Sequence, residues 1–383
     1  SQQGQCLPFD DSADGLVVGE GGGALVLKKL SKAQADGDKI YGLIRGTGTS
    51  CDGQDGGLLA PSHEGQVRAL EEAYRVSGVN PSQVRFVECH GTATARGDAT
   101  EINTLSKVFN NTDRKFKLGI GSVKSNFGHC LSAAGMASLM KMLQAIEQSA
   151  SPATKFRTPG ARVLDNRDWL ELVSTKTQLE TSESLIVGVN GFGFGGTNAH
   201  VILQEYREVE WIDKSYADSN SPTRKIAVIG AEVEAGKWRN WQQIFEHFRG
   251  NHTKSDTPTR WPDNINIEVP DSQFLRDREI ALGRFRISPK EMERLLPQQL
   301  MMLELSDLCL RNLSGEVLDT ARCGVLVGLN FAPNITNHTL RFKSSRAISK
   351  LLLESGRDLL DDVSKDELIE SYKEAICEAV NSD

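Results

Sequence analysis

Apolar positions along the first 205 or so residues change period repeatedly, from two in strand-like runs to about 3.6 in helix-like ones. The runs GGGALVLKKL and DKIYGLIRGTGTS read as strands, and GQVRALEEAYRVSG as a helix with Val67, Leu70 and Tyr74 on one face and Gly78 as its stop. VRFVECH is a short buried strand. DATEINTLSKVF reads as a helix opened by Asp98 and Glu101 at capping-box spacing, with Ile102, Leu105 and Val108 or Phe109 inward. LGIGSVKS is a further strand, and a helix follows from about Cys130 to Gln148 whose small residues Ala133, Ala134 and Gly135 permit close packing. Alternation of this kind predicts an α/β fold.

The text changes at EYREVEWIDKSYADSNSPTR, which is polar and ends in a Ser, Asn and Pro cluster, as inter-domain linkers do. The expected organisation is therefore 1–207, a linker at 208–224, and a second segment at 225–383. That segment opens on the strand KIAVIGA. It continues with the helix pair ISPKEMERLLPQQLMMLELSDLCLRN, in which Pro289 and Pro297 suit first-turn positions, then the strand RCGVLVGLN and a charged, helix-patterned tail from Ser344.

Composition narrows the function classes. With 39% apolar and 25% charged residues the chain is globular, and 51 acidic against 44 basic residues give a net charge of -7 with no basic stripe, which excludes nucleic acid as the expected partner. Seven scattered cysteines form no CxxC pair, so neither a disulfide framework nor a zinc cage is expected, and a reducing cytoplasm is the natural setting. No apolar run reaches the roughly 18 residues that span a bilayer. The opening SQQGQCLPFDD lacks signal-peptide character, and without an initiator methionine Ser1 is expected not to be the true start.

Three clusters hold the candidate chemistry: ECHGTATARGD at 88–98, GSVKSNFGHC at 121–130 and VNGFGFGGTNAH at 189–200. Each follows a strand, where α/β proteins bind ligands, so the three loops are expected to share a pocket. His90 follows a buried strand, with the hydroxyls of Thr92 and Thr94 just beyond; taken alone, such a histidine can equally be a satisfied turn residue. His129 stands before a helix, whose positive end disfavours a charged imidazole, and a neutral ring can donate N–H to a developing oxyanion. Lys124 is either a solvated lysine or an inward-facing, paired one. GFGFGG matches a dinucleotide fingerprint through Gly191, Gly193 and Gly196, yet TNAHVILQEY continues as a strand where a helix is required. The glycines suit instead a close backbone approach and an amide near Phe194 exposed to an oxyanion. Cys89 is expected to face the core when His90 faces the pocket, since neighbours on a strand point oppositely.

The series HGTxTxxGD, KSNxGH and GFGFGGTNAH, in this order, resembles the β-ketoacyl synthases of polyketide and fatty-acid synthesis, and the resemblance extends over residues 1 to about 205 through SQQG, FDDSADGLVVGEGGGALVLKKL and KFRTP. It implies a thiolase-like α/β fold and the carboxyl-terminal part of a synthase domain. His90 and His129 would be the catalytic pair and Lys124 their support. Thr92 and Thr94 would contact the pantetheine arm of the substrate, Asn126 would also bind substrate, and the Phe194 amide, gated by Gly193, would complete an oxyanion hole. The family's cysteine nucleophile lies in a turn expected upstream of Ser1. Leu131 stands where many of these synthases have glutamate, leaving the charge partner of Lys124 open. The second segment resembles, more loosely, the amino-terminal part of a degenerate synthase domain, through KIAVIGAEVEAGKWRNWQQIFEHFRG, FRISPKEMERLLPQQLMMLE and RCGVLVG.

That pairing resembles the ketosynthase and chain-length-factor tandem of polyunsaturated fatty acid synthases. The resemblance implies decarboxylative Claisen condensation of malonyl-carrier protein with an acyl thioester. No metal or directly bound cofactor is implied. The partners would be phosphopantetheine-bearing acyl carrier protein, the remaining synthase domains and a ketosynthase/chain-length-factor pseudo-dimer. Alternatives are a non-catalytic scaffold or chain-length-determining partner, and a nicotinamide-dependent oxidoreductase built on the glycine loop.

Overall fold

The structure is a computed structural model that describes residues 1–53, 60–110, 113–151, 153–178, 183–193, 196–208, 226–240, 243–244, 297–313 and 325, with scattered positions between 275 and 295. By compactness the chain divides into Ser1–Gly328 and Leu329–Asp383, and the second unit lies wholly outside the described residues. So do RCGVLVGLN apart from Val325, the charged tail, Pro289 and most of the expected linker.

The strands are β1 (Gly21–Lys29), β2 (Gly42–Cys51), β3 (Phe86–Glu88), β4 (Leu118–Gly121), β5 (Ala150–Ser151), β6 (Leu170–Leu172), β7 (Thr177–Gln178), β8 (Ile186–Gly193), β9 (Thr197–Gln204) and β10 (Ile226–Ala235). The helices are α1 (Leu30–Ala35), α2 (His63–Ser77), α3 (Ala95–Phe109), α4 (Lys124–Phe127), α5 (Ala134–Glu147), α6 (Ala161–Asp165) and α7 (Pro297–Arg311). Eight strands form one mixed sheet in the order β1-β10-β2-β9-β8-β3-β4-β6, with β8, β3, β4 and β6 parallel and the remaining pairings antiparallel.

Strand neighbours point to opposite faces, so each strand feeds two cores. On one face Val87, Ile186 and Ile202 meet Leu70, Ala73 and Tyr74 of α2 and Ile102, Leu105 and Phe109 of α3. On the other, Phe86, Val187, Val189 and Leu203 meet Ala137, Met140, Leu143 and Ile146 of α5. The result is an α/β/α sandwich. Gly78 ends α2 in the left-handed region at φ 65°, as its position predicts.

Three local expectations change. The capping box at Asp98 and Glu101 does not form: α3 begins a turn earlier, after Thr94, and both carboxylates are buried and turned to other backbone amides. Lys124 lies on the short helix α4 rather than on a strand. A 3-10 turn, Leu131–Ala133, separates His129 from α5. The second segment also joins the sheet directly. β10 pairs with β1 over nine residues and with β2 over three, and Met301, Leu305 and Cys309 of α7 are buried, the first two against Gly22 of β1.

Candidate active site

Strand ends supply the site. β3 delivers Cys89 and His90, the turn after β4 delivers Lys124, Asn126 and His129, and β8 brings Phe192 to within 5.9 Å of the His90 ring centroid. His90 and His129 stand 5.5 Å apart, centroid to centroid, in an edge-to-face arrangement at 81°. Lys124 is 1% exposed and its ammonium reaches His90, 3.5 Å from Nδ1 and hydrogen-bonded to the His90 carbonyl oxygen. The expected convergence of these three residues is present.

Hydrogen bonding selects the tautomer of both rings. A lysine ammonium only donates, so His90 Nδ1 accepts from Lys124 and the ring proton resides on Nε2. A backbone N–H likewise only donates: Leu131 gives its amide proton to His129 Nδ1 at 3.0 Å, again leaving the proton on Nε2. Leu131 adopts φ 47° to do so, a left-handed conformation that opposes a branched side chain by roughly 1–2 kcal/mol. Both imidazoles are therefore N–H donors through Nε2.

Neither ring carries charge near neutrality. Burial holds His90 well below the ordinary histidine value, with the positive charge of Lys124 second. Burial and Lys124 bring His129 down to about 3. The expectation from the helix end is thus met by a different cause. Lys124 is itself lowered by burial, opposed by the carboxylates of Glu88 and Glu101, which are the charge partners that the sequence leaves open.

Glu101 is the residue that periodicity alone misassigns. Its Oε1 accepts from the His90 amide at 2.8 Å and from Asn190 Nδ2 at 2.8 Å, and its Oε2 accepts from the Gly91 amide at 2.7 Å. Asn190 Oδ1 lies 2.6 Å from His200 Nδ1, whose Nε2 lies 3.1 Å from the Tyr74 hydroxyl. A buried polar chain therefore runs from α2 through β9 and β8 to the backbone of His90. Opposite it, residues 17–19 flank His129, with His129 N–H donating to Val17 O at 2.6 Å and Gly19 N–H donating to His129 O at 3.0 Å. The only sequence signal for these contacts is a polar residue inside an apolar strand or helix face.

The other candidates are placed as follows. The Thr92 and Thr94 hydroxyls lie 3.0 Å apart, just past His90. Asn126 is buried on α4, where Ser125 donates to its side-chain oxygen at 3.3 Å. Gly193 ends β8, and Phe194 lies outside the described residues. β8 and β9 pair as a hairpin across the glycine loop, which leaves no helix for a dinucleotide fingerprint. Cys89 is fully buried, and burial pushes its thiol well above the ordinary value. Cys6 and Cys130 are raised to about 12 by burial and make poor nucleophiles. Among the described residues no cluster of His, Cys, Asp or Glu could hold a metal, and no helix is long and apolar enough to cross a membrane.

Comparison with known proteins gives three family matches. Residues 1–33 match the β-ketoacyl synthase N-terminal domain, 41–155 the β-ketoacyl synthase C-terminal domain, and 164–264 the ketoacyl-synthetase C-terminal extension, which runs across the expected linker. Polyketide synthase PksL of Bacillus subtilis is 41% identical over 211 residues, 54% of this chain and 5% of that protein. The highly reducing polyketide synthase anuA of Penicillium roqueforti is 41% identical over 203 residues, 52% of this chain and 10% of that protein. Among solved structures, the ketosynthase from module 6 of the bacillaene synthase of Bacillus subtilis aligns with TM-score 0.51 at 40% identity, over 54% of this chain and 38% of that one. The oxazolomycin ketosynthase domain OzmH KS7 of Streptomyces albus aligns with TM-score 0.50 at 28% identity, over 58% and 39%. The chain thus spans well under half of each of these relatives, and its mixed α/β sheet is of the expected thiolase-like class.

Proposed function

Starting from a chain that carries part of a β-ketoacyl synthase, we propose that its two imidazoles stabilise the enolate formed when malonyl-carrier protein loses carbon dioxide. The bond between the malonyl methylene and its carboxylate breaks, and the electron pair moves onto the thioester oxygen. His90 and His129 each donate an Nε2–H to that oxygen without titrating; the observation that supports the reading is that a donor faces each Nδ1, which leaves the ring proton on Nε2. The carbanion then attacks an acyl thioester, forming the new carbon–carbon bond and expelling the thiolate. Lys124 holds His90 by its carbonyl and its Nδ1 and, as a cation, adds to burial in keeping both rings neutral. Thr92 and Thr94 contact the pantetheine arm, Asn126 also binds substrate, and the Phe194 amide, gated by Gly193, receives the second oxyanion.

The acyl group is carried by a cysteine of the synthase polypeptide other than the buried Cys6, Cys89 and Cys130. The parent is a polyketide-type synthase that makes polyunsaturated fatty acids in the cytoplasm. Residues 225–383 begin a chain-length factor that pairs with the ketosynthase as a pseudo-dimer. Support for that assignment is the sequence likeness of KIAVIGA and the PQQ helix to the front of a synthase domain.

The test uses the complete synthase polypeptide and radiolabelled malonyl-carrier protein. His90→Ala and His129→Ala are each expected to slow carbon dioxide release by on the order of 10²–10³-fold, the usual loss of one oxyanion donor. Release within a few-fold of the parent in either variant ends the proposal.

A further inference from the structure

Glu88 and Lys141 form an ion pair at 2.8 Å with side-chain exposures of 0% and 1%, yet neither group is aimed at the imidazoles. Glu88 closes β3, two residues before His90, and Lys141 sits mid-way along α5. The second Glu88 oxygen accepts from the amide of Val123, the residue that precedes α4 and therefore Lys124, Asn126 and His129. One carboxylate thus ties the strand that carries the first histidine to the turn that carries the second, and an ammonium from a third element fixes that carboxylate. Among the described residues, Glu88 Oε2 and Lys141 Nζ have no hydrogen-bond partner beyond their contact with each other, and Lys124 adds a second positive charge near Glu88.

Energetics argue that this pair serves geometry rather than stability. Two ions taken out of water are repaid by their mutual attraction only in part, and apolar groups of similar volume commonly serve a core as well or better. A pair at this depth, joining three elements behind the site, therefore points to specification of one arrangement. We infer that Glu88 and Lys141 are positioning residues that set the separation of His90 and His129 by anchoring the Val123 amide. The inference rests on the enolate-stabilising role of the imidazoles.

The experiment uses the full synthase polypeptide with Glu88→Leu/Lys141→Met together, Lys141→Met alone, and Glu88→Gln. The double variant is expected to melt within a few degrees of the parent. Its kcat for malonyl decarboxylation should fall at least about tenfold with KM within about twofold, because a misplaced donor is felt in the transition state. Lys141→Met alone should melt far lower, since it removes the contact ion-pair partner of a buried carboxylate. Solid-state 15N spectra of histidine-labelled protein should show altered imidazole signals in the double variant, a readout that a purely structural pair would not move. Should the double variant fail to fold, Glu88→Gln, which keeps volume and an acceptor for Val123, is expected to show the same changes at smaller amplitude. Unchanged kcat together with unchanged imidazole signals in a folded variant overturns the inference. If the parent itself releases no carbon dioxide, the enolate reading fails and the imidazole signals alone decide this one.

Discussion

At the scale of single residues, the buried carboxyls around the site have ordinary identities and unusual environments. Asp98 is 6% exposed and accepts the Phe9 amide at 2.6 Å. Burial raises it from 3.8 to about 7, with the negative charge of Glu101 adding to the effect. Between these two values the folded protein keeps a proton that the unfolded chain releases, so raising the pH through this window draws the equilibrium toward unfolding. Asp98→Asn retains an acceptor for Phe9 and has no proton to lose. Its stability relative to the parent is therefore expected to increase from pH 4 to pH 8, by about 2–4 kcal/mol if the full shift is expressed. Urea unfolding at a series of pH values measures this, and a pH-independent difference between the two proteins would contradict the assignment. The histidines and Lys124 are legible in the sequence because their motifs are, whereas the partners that neutralise and aim them are not. Glu88 and Glu101 look like surface charges until the sheet and α3 turn them inward, and that is a consequence of tertiary packing rather than of local pattern.

At the scale of elements, period-two and period-3.6 patterning locates β1, β2, β3, β8, β9, β10, α2 and α5, and most of these bury apolar side chains in one of the two cores. It misplaces the start of α3. A capping box is a local hydrogen-bond exchange, and here the same two carboxylates are recruited by amides 89 and 10 or 11 residues away in sequence. The segment before β1 shows a related effect. Residues 17–19 are loop in pattern, yet they run beside His129 as a one-residue parallel bridge through Val18. Gly19 is required there: a Cβ on it would stand 1.9 Å from the backbone oxygen of Phe127, too close for any side chain. Gly19→Ala must push the turn carrying His129 away from its neighbours. Decarboxylation by the full synthase is expected to drop on the order of 10²-fold, as a displacement of about 1 Å can produce. A Gly19→Ala variant with parental kcat would show that the turn yields without moving the imidazole.

At the scale of the whole molecule, one sheet joins sequence from both sides of the expected linker. β10 lies between β1 and β2, so its Ala227 and Val228 are flanked by strands that precede the linker by roughly 160–180 residues. Val228 is fully buried and packs in the same core as Leu143 of α5 and Val187 of β8. Helix α7 adds Met301 and Leu305 over Gly22. A sequence boundary read from polar composition detects where the chain leaves the surface of one segment, but it cannot detect which sheet the next strand enters, because strand pairing is non-local. If β10 belongs to the same cooperative unit as the site, an unpaired charge at Val228 should be felt at the far edge of the sheet. Val228→Asp buries a carboxylate without a partner and is expected to destabilise by about 3–5 kcal/mol. Amide hydrogen exchange then distinguishes the cases. Exchange at Val87 of β3 and Ile120 of β4 should accelerate together with exchange in β1 and β2, since in a single cooperative unit all slow amides open through the same global unfolding. Acceleration confined to β1, β2 and β10, with Val87 and Ile120 still protected, would mean that β10 docks on a sheet that is stable without it, and the site on β3 would then owe nothing to the second segment.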